Sequence, residues 1–200
     1  MQLHKFDVVD AATALLDTYG IADLTMRRLA RELDVSPGAL YWHFPSKQAL
    51  LGAVADRILE PMLRDSAADG WRERIVAVGS SLREALLSHT DGAELVSATF
   101  AAGQSEAMTK VVGQLAAAAA DAGVAPGKDD VAARSVVYYV LGFTADEQSR
   151  LQWDAAGALP DAQSVLATDP SARFAFGLSL LVDGIAHARA EFGASAENSE

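Results

Sequence analysis

The chain has 200 residues, half of them hydrophobic, a formal net charge of −11 and no cysteine. That composition excludes a disordered chain, disulfides and thiolate metal sites. No uninterrupted apolar run reaches the roughly 18 residues of a membrane span, and the N-terminus lacks a signal-type apolar region, so a cytoplasmic protein is expected. The acid is unevenly spread. Residues 1–48 carry five Lys or Arg and six Asp or Glu, whereas the other 152 carry eleven and twenty-one. Total charge governs solubility and non-specific association, and it leaves room for one locally basic face. A strongly acidic body should make sequence-independent binding to nucleic acid weak.

The first element predicted is a helix. Val8, Val9, Ala12, Leu15 and Leu16 recur at helical spacing, and Tyr19-Gly20 supplies a glycine stop. Residues 25–47 then read as two short helices joined by a tight turn. Leu29, Ala30, Leu33 and Val35 give the first helix and the turn their apolar positions, and Asp34 sits at the bend. Ser36 is a good N-cap and Pro37 a good first residue for the second helix. That helix presents Tyr41 and His43 beside Trp42 and Phe44. Arg27, Arg28 and Arg31 precede it and Lys47 follows it. A short polar and aromatic helix flanked by cations is what a major-groove reader needs: the cations meet phosphates, and the helix tip meets base edges. Arg27, Arg28, Arg31 and Lys47 are thus candidate phosphate contacts, and Tyr41 and His43 candidate contacts at the helix tip. With the first helix, the hairpin would complete a three-helix unit.

Ser46 opens a long fourth helix over residues 46–63, and Pro61 should kink or break it near Leu59 or Glu60. Residues 66–70 read as a linker. Further helices follow over residues 71–89, 93–100, 105–122 and 129–153. Residues 155–169 read as a loop and 170–192 as a last helix. The polar tail 193–200 is expected to be disordered. No strand alternation appears. Asp129-Asp130 is expected at a helix start and Asp146-Glu147 on a polar helix face.

The last helix is apolar on most faces, so it must be buried on two sides. Phe174, Leu178, Leu181 and Ile185 form one stripe; Phe176, Gly177, Leu180 and Gly184 widen it. One side can pack on its own domain and the other on a second copy. Residues 71–192 also offer an apolar cavity between the helices carrying Val78 and Leu82, Val96 and Phe100, and Val140 and Phe143. Thr99, Gln114 and Thr144 are its polar anchors. The four histidines, His4, His43, His89 and His187, show no zinc-type spacing. Neither a phosphate loop nor a nucleophile elbow is present. No catalytic residue, metal site or cofactor is predicted, and the chain is not read as an enzyme.

Residues 20–51 resemble the DNA-binding domain of the tetracycline-repressor (TetR) family. Gly20, Leu24-Thr25, Arg28-Leu29-Ala30, Val35-Ser36, Ala39-Leu40-Tyr41-Trp42-His43-Phe44, Lys47 and Ala49-Leu50-Leu51 carry the likeness. Residues 85–89, 91–93, 141–142, 147–148 and 176–178 are similar to the C-terminal domain of tetracycline repressors. The resemblance implies an all-α chain: a helix-turn-helix domain over 1–48, a ligand-binding and dimerisation domain over 49–192, and the 46–63 helix joining them. It implies a homodimer closed by the last two long helices as a four-helix bundle, through Val136, Tyr139, Phe174, Leu178, Leu181 and Ile185. It implies that Thr25, Arg27, Arg28 and Lys47 position the DNA backbone, and that Ser36, Pro37, Gly38, Ala39, Tyr41, Trp42 and His43 lie at or beside bases and phosphates. It implies a double-stranded operator and a small-molecule effector as partners, with the fourth helix swinging to change the separation of the reading helices. Thr99 and Gln114 match ligand-contacting positions, and Asp146 falls at an acidic position near the drug-bound magnesium. Val96, however, stands where those repressors carry a magnesium-binding histidine. Val78 and Leu82 replace a drug-anchoring asparagine and an aromatic residue. The expected effector is therefore apolar or aromatic and metal-free. The alternative reading is a helical ligand-binding protein or enzyme with an incidental hairpin.

Overall fold

The computed structural model describes the backbone of residues 3–63, 69–160 and 169–197, with side chains through residue 188. Among these residues every regular element is helical, and no helix is long and apolar enough to cross a membrane. The expected linker at 66–70 and loop at 155–169 lie largely outside the described residues. The chain divides into two compact units, one of residues 1–63 with 84–108 and the other of 64–83 with 109–200.

In the first unit, α1 (Lys5–Tyr19) buries Val8, Ala12, Leu15 and Leu16, the face its spacing predicts. It stops at Gly20, whose φ of 77° suits glycine. α2 (Met26–Glu32) and α3 (Pro37–His43) follow, then α4 (Lys47–Leu59). Each of these three helices starts from a side-chain cap: Thr25 accepts from the Arg28 N–H, Ser36 from Ala39 and Ser46 from Ala49. α4 ends at Leu59 and passes into a 3-10 turn, Glu60–Leu63, as the proline at 61 requires. α6 (Gly92–Ala101) completes this unit. α1 packs on α2 and α4, α2 on α3, and α4 on α6.

The second unit is built from parts of α5 (Trp71–Leu87) and α7 (Glu106–Asp121), with all of α8 (Asp129–Ala155) and α9 (Pro170–Glu197). α8 opens at the Asp129-Asp130 pair, as the sequence predicts, and the Asp129 carboxylate accepts from the Gly127 N–H at 2.8 Å. α9 runs to Glu197 rather than ending at Phe192. α8 and α9 cross closely at Gly177, where a Cβ would come within 2.2 Å of the Tyr139 hydroxyl oxygen. The Tyr139 hydroxyl donates to the Phe174 carbonyl at 2.8 Å, and burial pushes its pKa up. Tyr139, Phe143 and Phe174 form a three-ring cluster with centroids 5.4–5.8 Å apart.

Two sequence expectations change here. Asp146 is exposed, but Glu147 is buried and receives a two-pronged ion pair from Arg83, at 2.6 and 2.9 Å. The Arg83 guanidinium also lies over the Phe174 ring at 5.1 Å, so one cation ties α5 to α8 and α9. Likewise Val136, Phe174, Leu178 and Ile185, assigned above to the dimer contact, are buried inside the protomer. Phe174 packs on the Tyr139 and Phe143 rings of α8, and Leu178 lies against Gly79 of α5. Tyr139 and Leu181 are only partly accessible. Among the described residues, the exposed large apolar side chains of the same two helices are Val131, Tyr138, Leu151, Trp153, Phe176 and Leu180.

Candidate nucleic-acid interface

Local chemistry sets the hairpin. Asp34 adopts a left-handed φ of 52°, the bend expected between α2 and α3. Leu29 and Ala30 of α2 and Leu40 of α3 are buried and lock the two helices together. Phe44, just past α3, is 2% exposed and plugs the same core. The remaining face of α3 points outward. Tyr41 is 51% exposed and Trp42 91%, while His43 is half-buried. Tyr41 and Trp42 thus form an adjacent exposed aromatic pair on α3.

The other predicted contact residues divide into two groups. Arg27, Arg31, Pro37 and Gly38 are exposed, and Lys47, the first residue of α4, and Ala39 are half-buried. Nothing lies closer than 3.8 Å to the point where a Gly38 Cβ would stand, so the helix tip is open to a close approach. Thr25 and Ser36 are exposed but already spend their hydroxyl oxygens on caps. Arg28 is held within the protein: its guanidinium pairs with Asp23 at 2.5 Å and lies 3.6 Å from the Tyr19 ring centroid. That pair is accessible to solvent and worth little, so a phosphate can displace it. A further cation, Lys5 at the start of α1, lies over the Phe44 ring at 5.0 Å.

The residues assigned to effector contact fall in both units. In the second unit, Val78, Leu82, Val140 and Thr144 are buried, and Phe143 and Gln114 are half-buried. The Thr144 hydroxyl donates to the Val140 carbonyl at 2.7 Å, which ties up its proton as a ligand anchor. On α6 of the first unit, Val96 and Thr99 are buried and Phe100 is half-buried. The Thr99 hydroxyl is likewise placed against the Leu95 and Val96 carbonyls, 3.0 Å from each. Among the described residues no group of three or more His, Cys, Asp or Glu is arranged to hold a metal ion.

A set of polar contacts in the first unit carries no signature in the sequence. Asp17 of α1 meets His89 and Thr90, and Asp91 meets the Gly20-Ile21 corner. These partners are about seventy positions apart in the chain, and no local pattern pairs them.

Residues 8–54 match the family model for bacterial regulatory proteins of the tetR family, and residues 64–189 match that for the tetracyclin repressor-like C-terminal domain. The class A tetracycline repressor of transposon 1721 from Escherichia coli is 34% identical over 204 residues, covering 94% of this chain and 93% of its own. The crystal structure of Mycobacterium smegmatis BioQ is 64% identical, with a TM-score of 0.87, over 94% of this chain and 99% of that one. A structure of BioQ with its natural double-stranded DNA operator is 61% identical, with a TM-score of 0.80, over 92% and 99%.

Proposed function

The chain belongs to the tetR family of bacterial regulatory proteins, and we propose that it is a ligand-responsive transcriptional repressor. In this reading it binds a palindromic operator as a homodimer and is released by a small apolar or aromatic effector. The observation that carries the reading is the hairpin of residues 25–47. α3 is only seven residues long, is rigidly capped, and turns a bare Trp42 and a half-exposed Tyr41 outward between Arg27, Arg31 and Lys47. A relative of 61% identity that has been crystallised on its own operator supports it.

The division of labour follows from the chemistry. Thr25, Arg27, Arg28 and Lys47 meet phosphates and fix the register of the protein on the duplex. Gly38, Ala39, Tyr41 and His43 approach base edges, with Trp42 beside them, and Ser36 and Pro37 pre-form the helix that carries them. The acidic body repels DNA elsewhere, so affinity rests on this one face.

Dimerisation places two such faces about one helical turn apart, roughly 34–36 Å. Tyr138 on α8 and Phe176 and Leu180 on α9 supply the contact. Gly142 and Gly184 favour close helix approach, because nothing lies within 4 Å of where their Cβ atoms would stand. The effector is taken up against the apolar side chains of the second unit, Val78, Leu82, Val140 and Phe143, with Gln114 as a polar tip. Val96 offers no metal ligand, so no divalent ion is needed. Such an effector lowers operator affinity only by binding the non-DNA-binding conformation more tightly. The swing of α4, which starts at Lys47, is the proposed lever.

The test is selection of duplexes from a random-sequence pool by the purified full chain, followed by fluorescence-anisotropy titration of the selected operator. A palindromic consensus supports the reading; enrichment of no sequence would favour a helical ligand-binding protein or enzyme with an incidental hairpin. The complex is then titrated with a panel of aromatic and aliphatic acids, esters and heterocycles, with and without EDTA. Release by one of them in EDTA supports an apolar, metal-free site, and release that strictly required magnesium would overturn it.

A further inference from the structure

We infer that residues 89–91, the segment leading into α6, form a clamp that sets the pose of the DNA-reading hairpin, with Asp91 and Asp17 as its positioning residues. The inference rests on the DNA-binding reading above and adds a second mechanical attachment to it, separate from the α4 lever.

Three consecutive residues reach back to the α1–α2 corner that precedes the hairpin. His89 Nδ1 lies 3.0 and 3.1 Å from the two carboxylate oxygens of Asp17, in the last turn of α1. The Thr90 N–H donates to Asp17 Oδ1 at 3.2 Å, and the Thr90 hydroxyl donates to the Asp17 carbonyl at 2.9 Å. Asp91 Oδ2 accepts from the Ile21 N–H at 2.9 Å. The fit at that corner is tight: a Cβ on Gly20 would come 2.7 Å from the same Asp91 oxygen. Gly20 is therefore required twice over, for its positive φ and for the room it leaves. Asp91 itself is held at φ +53°, a backbone region that non-glycine residues seldom occupy and that neighbouring structure must maintain. The Ile21 corner is four residues before Thr25, which caps α2. Whatever fixes the corner fixes α2, and through Leu29 and Leu40 it fixes α3.

The chain just past α6 is fastened as well. The Ser105 hydroxyl, ahead of α7, and the Ala107 N–H, in its first turn, both donate to Asp56 Oδ1 of α4, at 2.7 and 2.9 Å. The segment that carries α6, residues 89–107, therefore meets the DNA-reading unit at two points, the α1–α2 corner and α4. A displacement of α6 pulls on both, and only the first acts directly on the helix pair that reads DNA. A phosphate repels a carboxylate, so neither Asp17 nor Asp91 is a phosphate contact. Their role is positional.

The test uses the full chain. Asp91→Gly removes the carboxylate while suiting the left-handed backbone, and Asp91→Asn keeps an acceptor for Ile21. Asp17→Ala cuts the His89 and Thr90 contacts from a helical position that alanine favours, so it remains informative if Asp91→Gly misfolds. Operator affinity is measured by anisotropy across a salt series, on the selected operator and on versions with one base pair added to or removed from the half-site spacing. Asp91→Gly and Asp17→Ala should each lose about tenfold in affinity, the scale of one net hydrogen bond. They should also lose spacing discrimination, while their salt dependence stays that of the wild type, because no phosphate contact is removed. Asp91→Asn should recover most of both. Amide hydrogen exchange without DNA gives an independent reading: residues 20–33 should exchange faster in both variants while α8 is unchanged. Wild-type exchange in that segment, or wild-type affinity and spacing preference in the folded variants, would overturn the clamp. A wild-type chain that selected no operator would sink the repressor reading, leaving the exchange result to decide the clamp alone.

Discussion

Replacing Gly52 by alanine sets two effects of opposite sign against each other. Gly52 lies in the interior of α4, where helix propensity alone favours alanine by about 1 kcal/mol. The structure opposes it. A Cβ on Gly52 would stand 2.1 Å from the backbone oxygen of Gln104, 3.0 Å from its carbonyl carbon and 3.2 Å from its Cβ. The obstacle is backbone, and it is pinned: the Gln104 N–H donates to the Thr99 carbonyl at 2.9 Å, and the next residue, Ser105, bonds Asp56. α4 and α6 must therefore move apart by more than the flexing of a side chain. Overpacking of this kind costs about 1–3 kcal/mol, and a lost Asp56 hydrogen bond adds about 1 kcal/mol. After the propensity gain is subtracted, a net loss of about 2 kcal/mol is expected. The assay is urea unfolding followed by far-UV circular dichroism, with Gly113→Ala on α7 as control. Nothing lies within 4 Å of a Gly113 Cβ, so that variant should gain about 0.5–1 kcal/mol. If Gly52→Ala rose in stability with Gly113→Ala, the close crossing of α4 and α6 would be wrong.

Three further outcomes are expected. Glu147→Gln leaves the Arg83 guanidinium buried without its counter-charge and should cost about 3–5 kcal/mol in the same unfolding assay; a loss within error of zero would contradict the buried pair. Lys47→Gln should weaken binding to all duplexes alike and reduce the slope of log affinity against log salt by about 1, measured by anisotropy in a salt series. Leu180→Glu changes a side chain that is exposed in the protomer, so the fold should survive. Sedimentation should then fall from twice the 21.0 kDa chain mass to the monomer, and an unchanged mass would rule out the α9 contact.

What could be read from the sequence was what local chemistry decides. Ser36 caps α3 and Ser46 opens α4 because their hydroxyls reach N–H groups three residues on; the Thr25 cap of α2 emerges only in the structure. Gly20 and Pro61 end helices for backbone reasons, and Asp34 tolerates the left-handed bend. The hairpin of residues 25–47 is made of such features, so its two helices and its turn could be placed in advance. The rest depended on long-range partners. The stripe Phe174, Leu178 and Ile185 is periodic whichever neighbour it faces, and periodicity cannot say whether α8 or a second copy covers it. Glu147 reads as a surface acid until Arg83, 64 positions earlier, is brought against it. That the Thr99 and Thr144 hydroxyls each donate to a carbonyl of their own helix is likewise not visible in a sequence. Asp17 and Asp91 carry no motif; only the folded corner at Gly20-Ile21 gives them a purpose.

The claim that α3 reads DNA is tested most directly by Tyr41→Ala, because Tyr41 is half-exposed and its removal leaves the core residues Leu40 and Phe44 in place. Anisotropy titration on the selected operator and on a scrambled duplex of the same length should show specific affinity weakened by about 1–3 kcal/mol, with binding to the scrambled duplex little changed. Undiminished operator affinity in a folded Tyr41→Ala protein would contradict the assignment of this helix as the reader.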